Sequence, residues 1–383
     1  MSNRKVAFVV KNKFQIAQFH NLAVSYPEAV YLLMDRKTLW SEFRREDILG
    51  SSMPVRLVNR ANVDTVSSEF DVIFFQTLFA GIEKVRTPLV SVQYGLAKER
   101  HNYGEWRALA DLNLMYGDYS VRQVQHFSTS AAVGNLKFAG WDPDLDRNDA
   151  KGLLGLDNGR PVVLYMPTYG ELGTFDELVE PLGRLVGEFN ILIKMHHNNE
   201  MRGADWVATA RSHGIAHCFH GGADQRALLS AADVVISDYS GAIFDAVYAR
   251  VPVVLYQPDT ESRRGAQKFD LTSLEFRRRN ELGLVFERAE DLRATLHNAL
   301  KQSVELVERA EPIRAELFVD SATVDPIGRS HSLVEDLLSG RIPPLTTQQL
   351  YVRDAVRRLL AAEARLQAIE RHSLLGKLRR IMS

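Results

Sequence analysis

Ten short apolar runs recur along this chain, each followed by a segment of helical character. Five come early: "KVAFVV" (5–10), "AVYLLM" (29–34), "DVIFFQ" (71–76), "LVSVQ" (89–93) and "LNLMYG" (112–117). Five more follow: "PVVLYM" (161–166), "NILIKM" (190–195), "DVVIS" (233–237), "PVVLYQ" (252–257) and "GLVF" (283–286). A strand with one wet face alternates apolar and polar residues. Runs with almost no alternation are strands covered on both faces, which means parallel sheets sandwiched between helices. The fold class expected is therefore α/β, with two Rossmann-like parallel-sheet domains facing a cleft. A chain of 383 residues is too long for one ordinary core, in keeping with two. Gly, Pro, Asp and Asn accumulate between the two series, in "GWDPDLDRNDAKGLLGLDNGRP" (140–161). This places a first domain at 1–148, a second at 149–335, and a linker with a terminal helix at 336–383. Parallel sheets present ligands to the carboxyl ends of their strands, so the cleft is the expected site.

Bulk properties exclude several classes. Lys and Arg number 47 against 48 Asp and Glu, a formal charge of −1, so nothing in the whole-molecule balance argues for nucleic acid as a partner. Cys218 is the only cysteine, which rules out an internal disulfide and any multi-thiolate zinc site and points to a reduced, cytoplasmic setting. The early run Val6 to Val10 reads as a strand rather than a signal peptide, and no window approaches the roughly 18 apolar residues of a membrane span. The tail differs from the rest. Residues 351–383 hold seven Arg and one Lys against one Asp and two Glu, with Val352, Val356, Leu359, Leu360, Leu366 and Ile369 near helical spacing. Such a basic amphipathic helix either packs on the body or docks on an anionic membrane surface, and the closing "LLGKLRRIMS" favours the second.

Four segments could carry chemistry. In "ISDYSGAIFDAVYARVPVVLYQPD" (236–259) a strand gives way to Asp238, Tyr239, Ser240 and Gly241 before a helix with Ile243, Phe244, Val247 and Tyr248 on one side. A helix N-terminus at a sheet's carboxyl edge suits a phosphate, though Ser237, Asp238 or Ser240 could equally be an ordinary cap. In "NILIKMHHNNE" (190–200) a strand ends in Lys194, His196 and His197; neighbours on an extended segment point to opposite sides, so one histidine faces the cleft. The loop of "LYMPTYGELGTF" (164–175) brings Thr168, Tyr169, Gly170 and Gly173 to the same edge without a P-loop or dinucleotide pattern. In the first domain "VQYGLAKERHNYGEWR" (92–107) concentrates Tyr94, Lys98, Glu99, Arg100, His101, Tyr103 and Arg107. "FRRRN" (276–280) reads as a solvated surface, although arginines beside a cleft could hold an anionic acceptor.

The order of these pieces resembles the CDP-glycerol glycerophosphotransferase family of teichoic-acid and capsule synthesis. The likeness rests on "YMPTY" (165–169), "ILIKMHH" (191–197), "LLSAADVVISDYSGAIFDAVYARVPVVLYQPD" (228–259) and "FVDSATVDPIGRSHSLVEDLL" (318–338), and "AVGNLKFAGWDPD" (132–144) fits the family's linker. The resemblance implies a GT-B type fold without bound metal or other cofactor. It implies transfer of a polyol phosphate from a CDP-activated donor to a lipid-linked or glycan acceptor, with release of CMP, by a protein lying on the inner face of the cell membrane. It also implies roles for single residues: His197 or His196, Ser240, Gly241, Thr168 and Lys194 at the donor phosphates, an imidazolium among them, with Asp238 organising the loop, His197 and Asp238 both counted with the catalytic set, and Asp245 on the donor side. Where the family carries Trp-His-Gly on the acceptor side, this chain has Tyr94 before Gly95, which makes His101 the preferred base, with Lys98 and Arg100 beside it. The family's second serine is replaced by Gly241, and Tyr169 and Gly170 stand where an arginine often follows "PT". Rival readings are a glycosyltransferase using a CMP- or UDP-linked sugar, more weakly a UDP-sugar epimerase, and a non-catalytic scaffold of a capsule assembly complex.

Overall fold

The computed structural model describes residues 4–372 apart from Thr38, 44–52, 144–146, Asn158, 203–204, Gly222, 259–271 and Ser321. The first sheet contains β1 (Val6–Val10), β2 (Val30–Met34), β3 (Val55–Val58), β4 (Val72–Phe75), β5 (Leu89–Val92), β6 (Leu112–Met115) and β7 (Ser130–Ala132), in the spatial order β3-β2-β1-β4-β5-β6-β7. The second contains β8 (Val162–Met166), β9 (Asn190–Lys194), β10 (His217–Phe219), β11 (Val234–Ser237), β12 (Val253–Tyr256) and β13 (Leu284–Phe286), in the order β10-β9-β8-β11-β12-β13. Every pairing in both sheets is parallel.

The ten apolar runs are strands within a residue or two of their expected limits, and the reason is burial on both faces. Along β8, Val162, Leu164 and Met166 enter one cluster while Val163 and Tyr165 enter the cluster on the opposite face. Three strands were not foreseen: β3, β7 and β10. All lie at or next to a sheet edge, and their residues are mostly only half buried, so they carry no continuous apolar run.

One core joins the two units. Leu96, Ala97, Tyr116, Tyr119, Phe138 and Trp141 from the first pack with Leu228, Val247 and Tyr248 from the second and with Phe318. Phe138 stacks on Tyr248 at 5.1 Å between ring centroids, and Lys137 Nζ pairs with Asp245 at 2.6 Å. Arg147 and Lys151 both pair with Asp233, so the second unit has begun by residue 147.

The far end of the expected second domain needs correction. After the helix Ser303–Leu317 the chain crosses back, Val319 N donating to Tyr116 O at 2.9 Å. The helix Pro326–Leu338 then packs Ile327, Leu333, Val334 and Leu337 on the first sheet, beside Phe8 and Phe74. Residues 326–335 therefore belong physically with the first unit. The last helix, Thr347–His372, starts on the body: Val352, Val356 and Leu360 cover the other face of the first sheet. Arg353 clamps it there, donating to Ala108 O, Ala110 O and Asp111 Oδ1 at 2.9, 2.6 and 2.7 Å. Farther on, Arg365, Leu366 and Ile369 are exposed. The "LLGKLRRIMS" segment lies outside the described residues.

The crossing requires close backbone approach. A Cβ on Gly117 would lie 2.5 Å from Leu317 O and 2.9 Å from Phe318 N. Neither backbone atom can yield without moving the crossing, so Gly117→Ala is expected to destabilise the chain by about 1–3 kcal/mol, read from the urea midpoint at unchanged slope. A wild-type midpoint would show that the crossing is loose.

Candidate functional site at the carboxyl edges of both sheets

Strand order reverses between β8 and β11 in the second sheet and between β1 and β4 in the first, and such switch points open crevices at the strands' carboxyl ends. Met166 and Ser237 end β8 and β11 as register partners, and Ser237 Oγ donates to Met166 O at 2.8 Å. Just beyond them, Asp238 is fully buried and its carboxylate gathers three donors. Thr168 N approaches both oxygens at 2.8 and 3.0 Å, Thr174 Oγ1 lies 2.9 Å away, and Tyr239 N lies 2.6 Å away. Burial pushes its pKa up, and these hydrogen bonds and the Arg279 charge oppose the shift. A carboxylate so enclosed does not reach a substrate. Asp238, expected among the catalytic groups, is instead the brace that shapes the loop.

Ser240 and Gly241 follow, at the start of the helix Ala242–Tyr248. Ser240 Oγ accepts from Ala242 N at 3.3 Å, a capping contact that leaves its own proton to give. Gly241 has helical φ, and a Cβ there would meet only Ala97 Cβ at 3.7 Å, so neither strain nor space demands glycine. Thr168 Oγ1, buried at the same edge, has no hydrogen-bond partner among the described residues. Asp245 is removed from the donor side: Lys137 and Gln225 Nε2 occupy its two oxygens, the latter at 2.8 Å, which makes it a tie to the interdomain linker.

Beside this edge β9 ends at Lys194, whose Nζ donates to Gly221 O at 3.0 Å. The two histidines do not point to opposite sides. The strand has already ended, His197 opens a 3-10 turn, and the rings stack at 4.2 Å. Asn198 N donates to His196 Nδ1, which leaves that ring's proton on Nε2. A Cβ on Gly221 would fall 2.4 Å from His197 Cα, so glycine lets the β10 loop press against the histidine turn. His197 has its pKa lowered to about 4, by burial first and then by Lys194 and Lys98. His196 is lowered well below the ordinary imidazole value, by burial and then by His197, Lys98 and Lys194. Both rings are uncharged at neutral pH, so the expected imidazolium is not present in the protein by itself, and each neutral ring keeps one N–H.

The first unit packs against this edge. Phe14, opening the helix Phe14–Ala23, lies 4.5 Å from the His197 ring and 5.9 Å from that of Tyr94. Lys98 Nζ sits 4.9 Å over the Tyr169 ring, which in turn packs on His196 at 4.5 Å. Burial lowers the Lys98 pKa, and Glu275 and Asp238 partly restore it. Tyr94 is pushed up to about 12 by burial, so it keeps its proton. His101 sits exposed at the rim with its pKa lowered, by desolvation first and then by Lys11, Lys98 and Arg107. Arg100 is exposed on the same turn.

Residues missed from the sequence surround these. Phe14 offered no polar signal, and Tyr169 was read only as part of the loop after β8. "FRRRN" is not a solvated surface: Arg279 is 5% exposed, donates to Asp238 O at 2.7 Å, Glu275 O at 3.0 Å and Tyr256 O at 3.1 Å, and lies over the Tyr239 ring. Arg278 pairs with Glu281 and Glu316, and Arg277 donates to Tyr119. Glu275 is wholly buried, and burial raises its pKa to about 7. Among the described residues no group of three or more His, Cys, Asp or Glu is placed to hold a metal ion.

Comparison with known proteins agrees with the resemblance read from the sequence. Residues 143–316 match the family described as CDP-glycerol:poly(glycerophosphate) glycerophosphotransferase. The teichoic acid poly(glycerol phosphate) polymerase of Bacillus subtilis (strain 168) is 26% identical over 127 residues, 30% of this chain and 16% of that protein, so the likeness spans about a sixth of the polymerase. The wall teichoic acid polymerase TagF superposes with a TM-score of 0.60 at 15% identity, over 90% of this chain and 91% of that one. HepE of Anabaena, in complex with UDP-glucose, reaches 0.52 at 14% identity, over 88% and 100%. At such identities the superpositions establish the two-domain fold.

A pH dependence follows from the histidine pair. Both folded-state values lie below the ordinary 6.5, so the unfolded chain binds more protons as pH falls, and the stability contributed by the neutral rings is present above 6.5 and lost on descent toward about 4. Urea titrations at pH 7 and pH 4.5 should show a loss that shrinks in His197→Asn. An equal loss in the variant would remove His197 from the account.

Proposed function

We propose that this chain moves a polyol phosphate, glycerol phosphate or a similar unit, from a CDP-activated donor to a hydroxyl of a lipid-linked or glycan acceptor in cell-surface polymer synthesis, releasing CMP. The observation that carries the reading is the gathering of Lys98, Lys194, His196 and His197 around the carboxyl ends of β8, β9 and β11. Burial lowers the pKa of Lys98 and of both histidines, the charges of Lys98 and Lys194 lower the histidines further, and a diphosphate would oppose these shifts. The match of residues 143–316 supplies the donor class.

In this mechanism the donor diphosphate lies between Ser240, the amides that open the helix Ala242–Tyr248, the histidine N–H groups and Lys194. Those donors face the oxygen that gains charge as the bond to CMP breaks. The acceptor oxygen attacks the phosphorus of the polyol phosphate from the first-unit side, and its proton passes to a base. His101 fits that role, because its lowered pKa leaves it unprotonated at neutral pH, whereas Tyr94 holds its proton and serves as a donor. Thr168 Oγ1 offers one more hydroxyl at the donor edge. No cofactor takes part in this scheme.

The tail fits a lipid-borne acceptor. Beyond its docked first half, the last helix exposes Leu366 and Ile369 beside Arg365. Such a projecting face suits the anionic inner leaflet of the cell membrane. Among the described residues no helix is long and apolar enough to cross a membrane.

Two measurements test the proposal. Purified protein is incubated with CDP-glycerol, other CDP-polyols, CMP-sugars and UDP-sugars in the presence of membrane extract, and the nucleotide released is identified. CMP from a CDP-polyol is expected, with turnover reduced roughly 10²-fold or more in His197→Ala and Ser240→Ala at unchanged melting temperature. UDP alone would overturn the donor assignment, and no release from any donor would favour a scaffold. In flotation with vesicles, binding should require anionic lipid and vanish on removal of residues 361–383. Equal binding to neutral vesicles would refute the electrostatic docking.

A further inference from the structure

Two very short helices from opposite units meet at their N-termini. Glu99–Asn102 belongs to the first unit, on the turn that carries Lys98 and His101; Leu274–Arg277 belongs to the second. The first amides of any helix lack partners within it, and side chains of the same segment usually cap them. Here each helix takes its caps from the other. Glu275 Oε1 accepts from Lys98 N at 2.7 Å, and Ser273 Oγ accepts from Glu99 N at 3.1 Å. In return Glu99 Oε2 accepts from Leu274 N at 3.0 Å. The other Glu99 oxygen accepts from Tyr119 Oη, which itself accepts from Arg277 Nη2 at 2.8 Å.

These bonds are placed where they cost most to lose. Ser273 and Glu275 are wholly buried, so the acceptors these half-buried amides use are shielded from solvent, and losing either removes a partner that water replaces poorly. Lys98 has φ 58°, the left-handed region, in which a non-glycine residue costs about 1–3 kcal/mol and persists only where its surroundings over-determine it. The Glu275 carboxyl, bonded to the Lys98 amide, is one contact that does so, and the His101 and Asn102 amides bonded to Lys98 O are others. The result is the position of the Lys98 cation over Tyr169, next to the histidine pair.

We propose that Glu275 and Glu99, with Ser273, are interdomain positioning residues whose reciprocal caps hold the Lys98–His101 turn against the second unit, at the anion-binding edge. The kinetic part of this inference rests on the transferase reading; the structural part does not.

Both parts are tested on the full chain with Glu275→Ala, Glu275→Gln, Glu99→Ala and the double alanine variant. Hydrogen exchange of peptides covering residues 96–103 and 272–279 reads the caps directly. Glu275→Ala should lose protection in both peptides, because the bonds cross-brace, and Glu275→Gln should keep most of it, since its amide oxygen accepts from the same amide. In CMP release, Glu275→Ala and Glu99→Ala should each lower kcat about 10-fold or more, with a smaller change in donor KM. Glutamine should recover most of the loss, and the double variant should fall little below the worse single one. Unchanged exchange in both alanine variants overturns the cap, and so do losses that multiply in the double variant. Lost protection with wild-type kcat overturns the positioning role. If the wild-type chain releases no CMP, the transferase reading fails while exchange still decides the cap. Should Glu275→Ala not fold, Ser273→Ala removes one cross-bond and should raise exchange at Glu99; unchanged exchange there refutes the inference.

Discussion

Much of the second unit's functional edge hangs on the enclosure of one carboxylate. Asp238 is fully buried, which is tolerable only because Thr168 N, Thr174 Oγ1 and Tyr239 N all donate to it. Those three donors come from the loops after β8 and β11, so the carboxylate sets how far apart the two loops stand. Its carbonyl oxygen then accepts from Arg279, which also reaches Tyr256 O at the end of β12. The loop ending in Ser240, the loop carrying Thr168 and the segment leading to Glu275 are in this way referred to one point. A buried charge with its donors complete gives a rigid reference, whereas exposed pairs such as Arg184 with Glu180 contribute little.

Around that frame the electrostatics are unfavourable for the isolated protein. Lys98, His196, His197 and, toward the rim, Lys11 and His101 are all shifted toward their uncharged forms, with burial the first cause in each case. At the seam between the units charges pair directly: Lys137 has Asp245, and Arg147 and Lys151 share Asp233. Groups of one sign buried together at this edge suit the anionic donor proposed for it. The aromatic contacts among Phe14, His197, His196 and Tyr169 cover the same edge from both units, so the candidate site and the domain interface are one structure.

Central strands were legible because burial on both faces leaves unbroken apolar runs; the edge strands β3 and β10 and the short β7 were not, because half-burial leaves a mixed composition. The polar ends of β8, β9 and β11 were also legible as a site, since parallel topology sends successive carboxyl ends to one edge. Roles within the site were less so. Asp238 is a brace and Asp245 a tie to the linker, a distinction that depends on which donors the fold brings to each carboxylate. The histidines stack because β9 stops at Lys194, a boundary that no period in "NILIKMHHNNE" marks. The cross-caps were invisible, for Lys98 and Glu275 stand 177 residues apart.

By itself, then, the sequence determined the two parallel-sheet units, the edge at which their loops meet and the chemical types gathered there, because burial pattern and strand direction are local properties that topology makes additive. Tertiary structure alone decided which carboxylates are enclosed, that both histidines lose their charge, that residues 326–335 return to the first sheet, and that the tail helix is half docked. Each of those depends on desolvation or on a partner distant in the chain, and neither quantity exists until the two units have packed.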